Sequence, residues 1–372
     1  MAYLDAGSSQ RLNEAGRHAL EQALDQGWAD PVRLHSQGRK SALLAEQSIS
    51  TIAQVLKVQR DEVHILPSGT HAAHAAITGT AYARRRVDSP AIISAVEHSC
   101  VINATAALSQ CQSLQLGVDQ FGLIDPEELE ATLRESGARF VAVQSVNQET
   151  GTTQDVQAIA QLCSAAEVPY IVDASQSIGH EQTPQSFDAL IASAHKWGGP
   201  VGVGLLILRT GTPWHPTSLT QTLGVFGQGF PNVPVLAATA ASLVQADQER
   251  TSNRDRLMTL TEKIRAHAAT LDGVEVLGHP TQRAAHLVTI NVPLIAGDVI
   301  VEHLDRLGVA VASGSACSSS PLDPSHVLLA MGIQTYGNVR VGLSHTTTEA
   351  DVDEFLSCLP RALEAIRATS AY

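Results

Sequence analysis

Ala189-Leu190-Ile191-Ala192-Ser193-Ala194-His195-Lys196-Trp197-Gly198-Gly199-Pro200 joins an apolar, strand-like run to a turn rich in glycine and proline. Lys196 lies in that turn, with Ser193 and His195 just ahead of it. A lysine held there, partly desolvated and near other cationic groups, can lose its proton close to neutral pH and condense with an aldehyde. The serine and histidine can hold an anionic phosphate. Taken alone, the same motif also describes a solvated turn lysine.

One strand and turn upstream stands Tyr170-Ile171-Val172-Asp173-Ala174-Ser175-Gln176-Ser177, an apolar run ending in a carboxylate and small polar residues. The carboxyl end of a strand is where open α/β sheets bind their ligands. A carboxylate there can face the ring nitrogen of pyridoxal phosphate and keep it protonated, so that the ring draws electrons from a substrate α-carbon. Asp173 is the candidate, although an isolated aspartate at such a place would cap the next helix. Asp173 and Lys196 together favour the cofactor.

Outward from these segments, residues 61–209 alternate β-rich runs (62–66, 91–96, 113–118, 140–146, 170–173, 189–192, 202–208) with helix-period segments (70–84, 100–109, 126–136, 156–167). Strands separated by helices need crossover connections and a mainly parallel sheet covered on both faces. The predicted class is α/β, with a seven-stranded sheet in the large domain. A long helix over 233–271 follows, then strands 286–292, 309–312 and 339–343 and helices 299–307, 325–331 and 349–368. We expect a segment 1–15 associated with the small domain, a large cofactor-binding domain over 16–245, and a small C-terminal α/β domain over 246–372. The last carries Ser313-Gly314-Ser315-Ala316-Cys317-Ser318-Ser319-Ser320, where nothing could pack a core around the thiol. Cys317 therefore reads as a reactive thiol, whereas Cys163 and Cys358 have apolar neighbours in helical patterns.

Further segments are Pro67-Ser68-Gly69-Thr70, Val96-Glu97-His98-Ser99, Val146-Asn147-Gln148-Glu149-Thr150-Gly151 and Asn338-Val339-Arg340-Val341-Gly342-Leu343. In this order, over nearly the whole chain, the set resembles the cysteine desulfurases of the class V aminotransferase-like, pyridoxal-phosphate-dependent group. The resemblance implies a fold-type I pyridoxal-phosphate transferase. It implies that Gly69, Thr70, Ser193 and His195 cradle the phosphate, that His98 stacks on the ring and handles a proton, and that Asp173 meets the ring nitrogen. Asn147 and Gln176 would bond the ring's phenolic oxygen and the substrate, and Arg340 would grip the substrate carboxylate with two parallel hydrogen bonds. Lys196 would hold the aldehyde as a Schiff base and then take the α-proton, while Cys317 takes the sulfur of L-cysteine as a persulfide and L-alanine leaves. A homodimer is implied too, as is a sulfur-acceptor protein such as an iron–sulfur scaffold or a thiolation relay. Selenocysteine lyase, or another C–S β-lyase acting on a cysteine derivative, uses the same constellation. A non-catalytic scaffold of this fold is the alternative from a different class.

The chain departs from the group's pattern in places. Leu4-Asp5-Ala6-Gly7-Ser8-Ser9-Gln10 stands where the group has a Leu-Asp-x-x-Ala-Thr-Thr-Pro segment. In Gly227-Gln228-Gly229-Phe230-Pro231-Asn232-Val233-Pro234, Phe230 replaces a threonine that reaches the phosphate of the dimer partner, which weakens that grip. His71 and His74 replace a glutamate and an asparagine; one helical turn apart and without a third ligand, they predict no metal site.

Composition narrows the partners. With 24 Lys+Arg against 37 Asp+Glu the formal charge is −13, a surface that repels nucleic acid and anionic membranes. The triplet Arg84 to Arg86 ends a helical pattern, where positive charge suits the helix dipole. No run of about 18 apolar residues occurs, Met1-Ala2-Tyr3-Leu4-Asp5 has no basic or apolar leader, and five widely spaced cysteines do not suggest a disulfide framework. We expect a soluble, cytoplasmic enzyme with no membrane or direct nucleic-acid partner.

Overall fold

The computed structural model describes residues 1–109, 111–217, 230–314, 325–333 and 337–370; Cys317 and residues 227–229 lie outside them. A short strand β1 (Ala2–Tyr3) precedes a helical pair, α1 (Glu14–Gln26) and α2 (Ser36–Leu56). The alternating region gives β2 (Val63–Leu66), α3 (Gly69–Ala83), β3 (Ala91–Ser94), α4 (Ser99–Ala106), β4 (Ser113–Leu116), α5 (Pro126–Ser136) and β5 (Phe140–Ala142). It continues through α6 (Val156–Ala165), β6 (Tyr170–Asp173), β7 (Ala189–Ser193) and β8 (Gly204–Leu208). The long α7 (Val233–Ala268) leads into β9 (Glu275–Leu277), β10 (Leu287–Asn291), α8 (Gly297–Arg306), β11 (Val309–Ala310), β12 (Ala312–Ser313), α9 (His326–Ala330), β13 (Asn338–Gly342) and α10 (Glu349–Ser370).

The large sheet has seven strands in the order β2-β8-β7-β6-β5-β3-β4. All pairings are parallel except those of β8, which runs antiparallel to both β2 and β7. Strands β3, β5, β6, β7 and β8 are buried at every residue, as expected for a sheet with helices on both faces, whereas the edge strand β4 is half exposed. Helix boundaries follow local chemistry. Asp125 caps α5 by accepting the Glu127 N–H, Pro126 opens its first turn, and Gly137 ends it with φ of 59°.

The second sheet, order β12-β13-β10-β9, is antiparallel and packs with α8 and α10 around its own core, which includes Leu257, Ile290, Val341 and Phe355. Ala2 and Leu4 belong to that core, and β1 pairs with β11. The large core takes Val233 to Leu243 of α7 and the small one Leu257 to Ala268, so one helix spans both. Among the described residues no helix is long and apolar enough to cross a membrane.

Candidate active site

Strand β3 connects to β4 on one side of the sheet, while β5 and β6 lie on the other, so the strand order reverses between β3 and β5. Crevices at such a reversal, beyond the carboxyl ends of the strands, are where open α/β sheets bind ligands. The chain places there a cavity of about 180 Å³. His98, in the connection after β3, and Gln148, in the connection after β5, both line it. Asp173, the last residue of β6, and Ser193, the last of β7, close its far side with Lys196.

At one end the helix α3 begins. Ser68 caps it, its hydroxyl accepting the His71 N–H at 3.2 Å, which leaves the N–H groups of Gly69 and Thr70 in the first turn as anion donors. A Cβ on Gly69 would stand 3.0 Å from Ser193 Cβ, so glycine lets the turn close onto β7. Ser193 Oγ lies 3.2 Å from His195 Nδ1. Burial, and then the charge of Lys196, pull the His195 imidazole down to about 4. Ser68, Gly69, Thr70, Ser193 and His195 thus offer hydroxyl and backbone donors around one pole of the cavity.

Deeper in, His98 caps α4 by accepting the Cys100 N–H on Nδ1 at 3.2 Å, with Cys100 Sγ 3.0 Å from the same nitrogen. An acceptor Nδ1 leaves the ring proton on Nε2. Burial lowers the imidazole's pKa, and the nearby Asp173 carboxylate opposes that shift. Burial pushes the Cys100 thiol upward, so it remains a donor rather than a thiolate. Asp173 is held by the Ser175 N–H on Oδ1 at 2.9 Å. Gln176 donates from Nε2 to the Gly7 carbonyl at 2.9 Å and accepts on Oε1 from His286 Nε2 at 3.1 Å. Lys196 Nζ donates to the same Gly7 carbonyl at 2.5 Å.

Of the residues assigned from sequence, Gly69, Thr70, His98, Asp173, Gln176, Ser193, His195 and Lys196 come together around this cavity. Asn147 and Arg340 do not line it. The Asn147 amide is engaged elsewhere: Nδ2 donates to Val96 O, in the connection after β3, at 3.1 Å, and Oδ1 accepts from the N–H groups of Glu149 and Thr150 in its own turn. Its neighbour Gln148 lines the cavity instead, with both polar atoms of its side chain buried and without partners among the described residues. Arg340 is 2% exposed and wrapped by Asp5, Ser8 and the Gln148 carbonyl. Sequence reading also passed over Ser68, Gln144 and Cys100, which line the cavity, and over the part-buried His180 and the buried His286, whose rings stack 3.8 Å apart behind Gln176.

A buried amide with no partner beside a cleft, an anion-binding turn at one end, a lysine amine and a strand-end carboxylate form a donor set that fits pyridoxal phosphate. The chain belongs to the aminotransferase class-V family, whose model matches residues 2–355. Members of that family use pyridoxal phosphate. The chain is 31% identical over 382 residues to cysteine desulfurase 2 of Trichormus variabilis, covering 100% of this chain and 95% of that one. It is 29% identical over 393 residues to cysteine desulfurase IscS of Dictyoglomus turgidum, covering 100% and 96%. A solved NifS-like protein superposes with a TM-score of 0.88 at 24% identity, covering 98% of this chain and 99% of the other, which shows the fold.

Proposed function

We propose that the chain is a cysteine desulfurase that converts L-cysteine to L-alanine and leaves the sulfur as a persulfide on Cys317. The observation that carries this reading is the convergence of Lys196, Asp173, His98 and the unpartnered Gln148 amide on one cavity with an anion-binding turn at its end. Similarity over the full chain to cysteine desulfurases supports it. Bound there, pyridoxal phosphate supplies an electron sink that makes the α-proton of an amino acid acidic.

This chain's residues do the rest. Gly69, Thr70, Ser193 and His195 would hold the phosphate, and Lys196 the aldehyde carbon. Asp173 would keep the ring nitrogen protonated from the end of β6. His98, with its proton on Nε2, would lie against the ring. Gln148 would bond the polar groups that enter the cavity, the part assigned from sequence to Asn147. The Lys196 amine, when not holding the aldehyde, would be the base for the α-proton. The Cys317 thiol would form the new S–S bond as the substrate's C–S bond breaks: an enzyme thiol and L-cysteine give an enzyme persulfide and L-alanine. A persulfide needs an acceptor, which we take to be a sulfur-carrying protein.

A homodimer, a cytoplasmic location and domains of 16–245 and 246–372, with 1–15 joined to the small domain, belong to the same reading. The test is to incubate the cofactor-loaded protein with L-cysteine and count alanine and protein-bound sulfur. Equal amounts are expected at first turnover, and Cys317→Ser should retain cofactor but form almost no persulfide. Borohydride should fix the cofactor on Lys196. Pyridoxyl label on another lysine, or wild-type alanine production by Cys317→Ser, would overturn the assignment.

A further inference from the structure

Residues 5–8 stand between Lys196 and Arg340, the two groups to which the family resemblance assigns the reacting end and the carboxylate of an α-amino acid. The Gly7 carbonyl accepts from Lys196 Nζ at 2.5 Å and from Gln176 Nε2 at 2.9 Å. Toward the small domain, Asp5 Oδ1 pairs with Arg340 Nη2 at 3.0 Å. Ser8 Oγ donates to Asp5 Oδ1 at 2.8 Å and accepts from the same arginine nitrogen at 2.6 Å. Arg340 Nη1 is occupied by the Gln148 carbonyl at 2.9 Å. Arg340 Nε is buried without a partner among the described residues, and a Cβ on Gly7 would stand only 3.1 Å from it. The whole Nε–Nη2 edge of the guanidinium is therefore covered by this one segment.

A substrate carboxylate binds arginine most strongly through two parallel hydrogen bonds to one edge. With Nη1 turned to Gln148, the edge left for it is the one that Asp5, Gly7 and Ser8 cover. We propose that Asp5 is a specificity-determining residue: its carboxylate competes with the carboxylate of the substrate for Arg340. The inference rests on the proposed function together with the family resemblance, which implies that Arg340 takes that carboxylate. The segment is held by backbone bonds rather than loosely laid in place: Ala6 N–H reaches Gly342 O at 3.0 Å and Gln10 N–H reaches His195 O at 2.9 Å. Displacing Asp5 costs the incoming ligand part of its binding energy. A ligand with a carboxylate alone gains little by the exchange. An α-amino acid, anchored also at its amine beside Lys196, recovers the loss. Asp5 thus screens simple carboxylates out of the site and raises the concentration of amino acid needed to fill it.

The probe is propionate, a carboxylate without the amine, added to cofactor-loaded wild type and Asp5→Asn. Binding is read from the shift in melting temperature and from competition with L-cysteine. We expect Asp5→Asn to bind propionate at least about tenfold more tightly and to show a lower KM for L-cysteine with a smaller change in kcat. Equal or weaker propionate binding would overturn the proposal. Adding Arg340→Lys to Asp5→Asn should abolish the gain; a gain that survives does not arise at Arg340 and sinks the idea. If Asp5→Asn does not fold, Ser8→Ala decides. It keeps both charges and loosens their bridge, so propionate should bind severalfold tighter, and unchanged binding would again refute competition. The propionate arms need no turnover. A wild type that releases no sulfur from L-cysteine would refute the proposed function while leaving this competition measurable.

Discussion

Gln148 shows what an unanswered buried amide costs. Both ends of its amide are buried without partners among the described residues, a condition that costs roughly 1–3 kcal/mol per group when nothing answers it. Gln148→Leu keeps the volume and removes the unanswered groups. We therefore expect the cofactor-free variant to melt at or above the wild-type temperature while its affinity for cofactor or L-cysteine falls about tenfold. A variant that melts lower and binds normally would show that the amide supports the fold instead. The stacked histidines make a different demand. Burial, opposed by a bond to the Lys196 carbonyl, takes His180 from 6.5 to about 4, and burial takes His286 well below its ordinary value. Above pH 6.5 the folded and unfolded chains both hold these rings neutral. Between 6.5 and about 4 the unfolded chain binds protons that the folded one refuses, so stability falls as the pH falls. For His180 the full loss is on the order of 3 kcal/mol. His180→Asn should flatten the decline of the urea midpoint between pH 6.5 and 4.5; an unchanged slope would assign the acid lability to other groups.

At the scale of elements, most of the large sheet is legible in the chain because its strands are short apolar runs and its helices have a clear period. Residues 126–136 are predicted and observed as one helix, α5, since proline, acidic residues and glycine mark both ends. Other parts carry weaker signals. The pair α1 and α2 is polar on its outer faces, and its small apolar stripe acquires meaning only against α7. The expected strand over 309–312 divides into β11 and β12, which pair with different sheets. In the motif around residue 148, sequence gives the turn but not which amide faces inward, because Asn147 and Gln148 have the same chemistry and only the turn's hydrogen bonds separate them. The junction of β8 and α3 yields an expectation at this scale. A Cβ on Gly204 would lie 2.1 Å from the Ser68 carbonyl and 2.7 Å from the Gly69 nitrogen. Gly204→Ala must push the start of α3 away from the sheet, which costs roughly 1–3 kcal/mol and moves the Gly69 and Thr70 donors. Lower thermal stability together with faster cofactor release should follow; normal release would mean that these donors do not hold the phosphate.

For the molecule as a whole, the surface next to that same turn remains to be accounted for. Phe230 is 64% exposed and Val201 73% exposed, and with Leu66, Pro67 and Leu236 they line an apolar groove of about 310 Å³. This groove shares no lining residue with the cavity lined by Ser68, Gly69 and Thr70. Leu66 and Pro67 lead directly into Ser68 and Gly69, so a cover over the groove would adjoin the anion-binding turn. The proposed homodimer gives the groove an occupant of known chemistry, a second copy of the chain. Phe230→Asp would then place a charge in a desolvated contact, and a net charge of −13 on each copy adds repulsion. We expect the variant to dissociate at concentrations at which wild type sediments as a dimer, and to release cofactor faster as the turn loses its cover. Phe230→Thr keeps the surface neutral and should weaken association less. If Phe230→Asp sediments as wild type does, this face is not the dimer contact. If it dissociates but holds cofactor unchanged, the second copy covers the groove without supporting the phosphate turn.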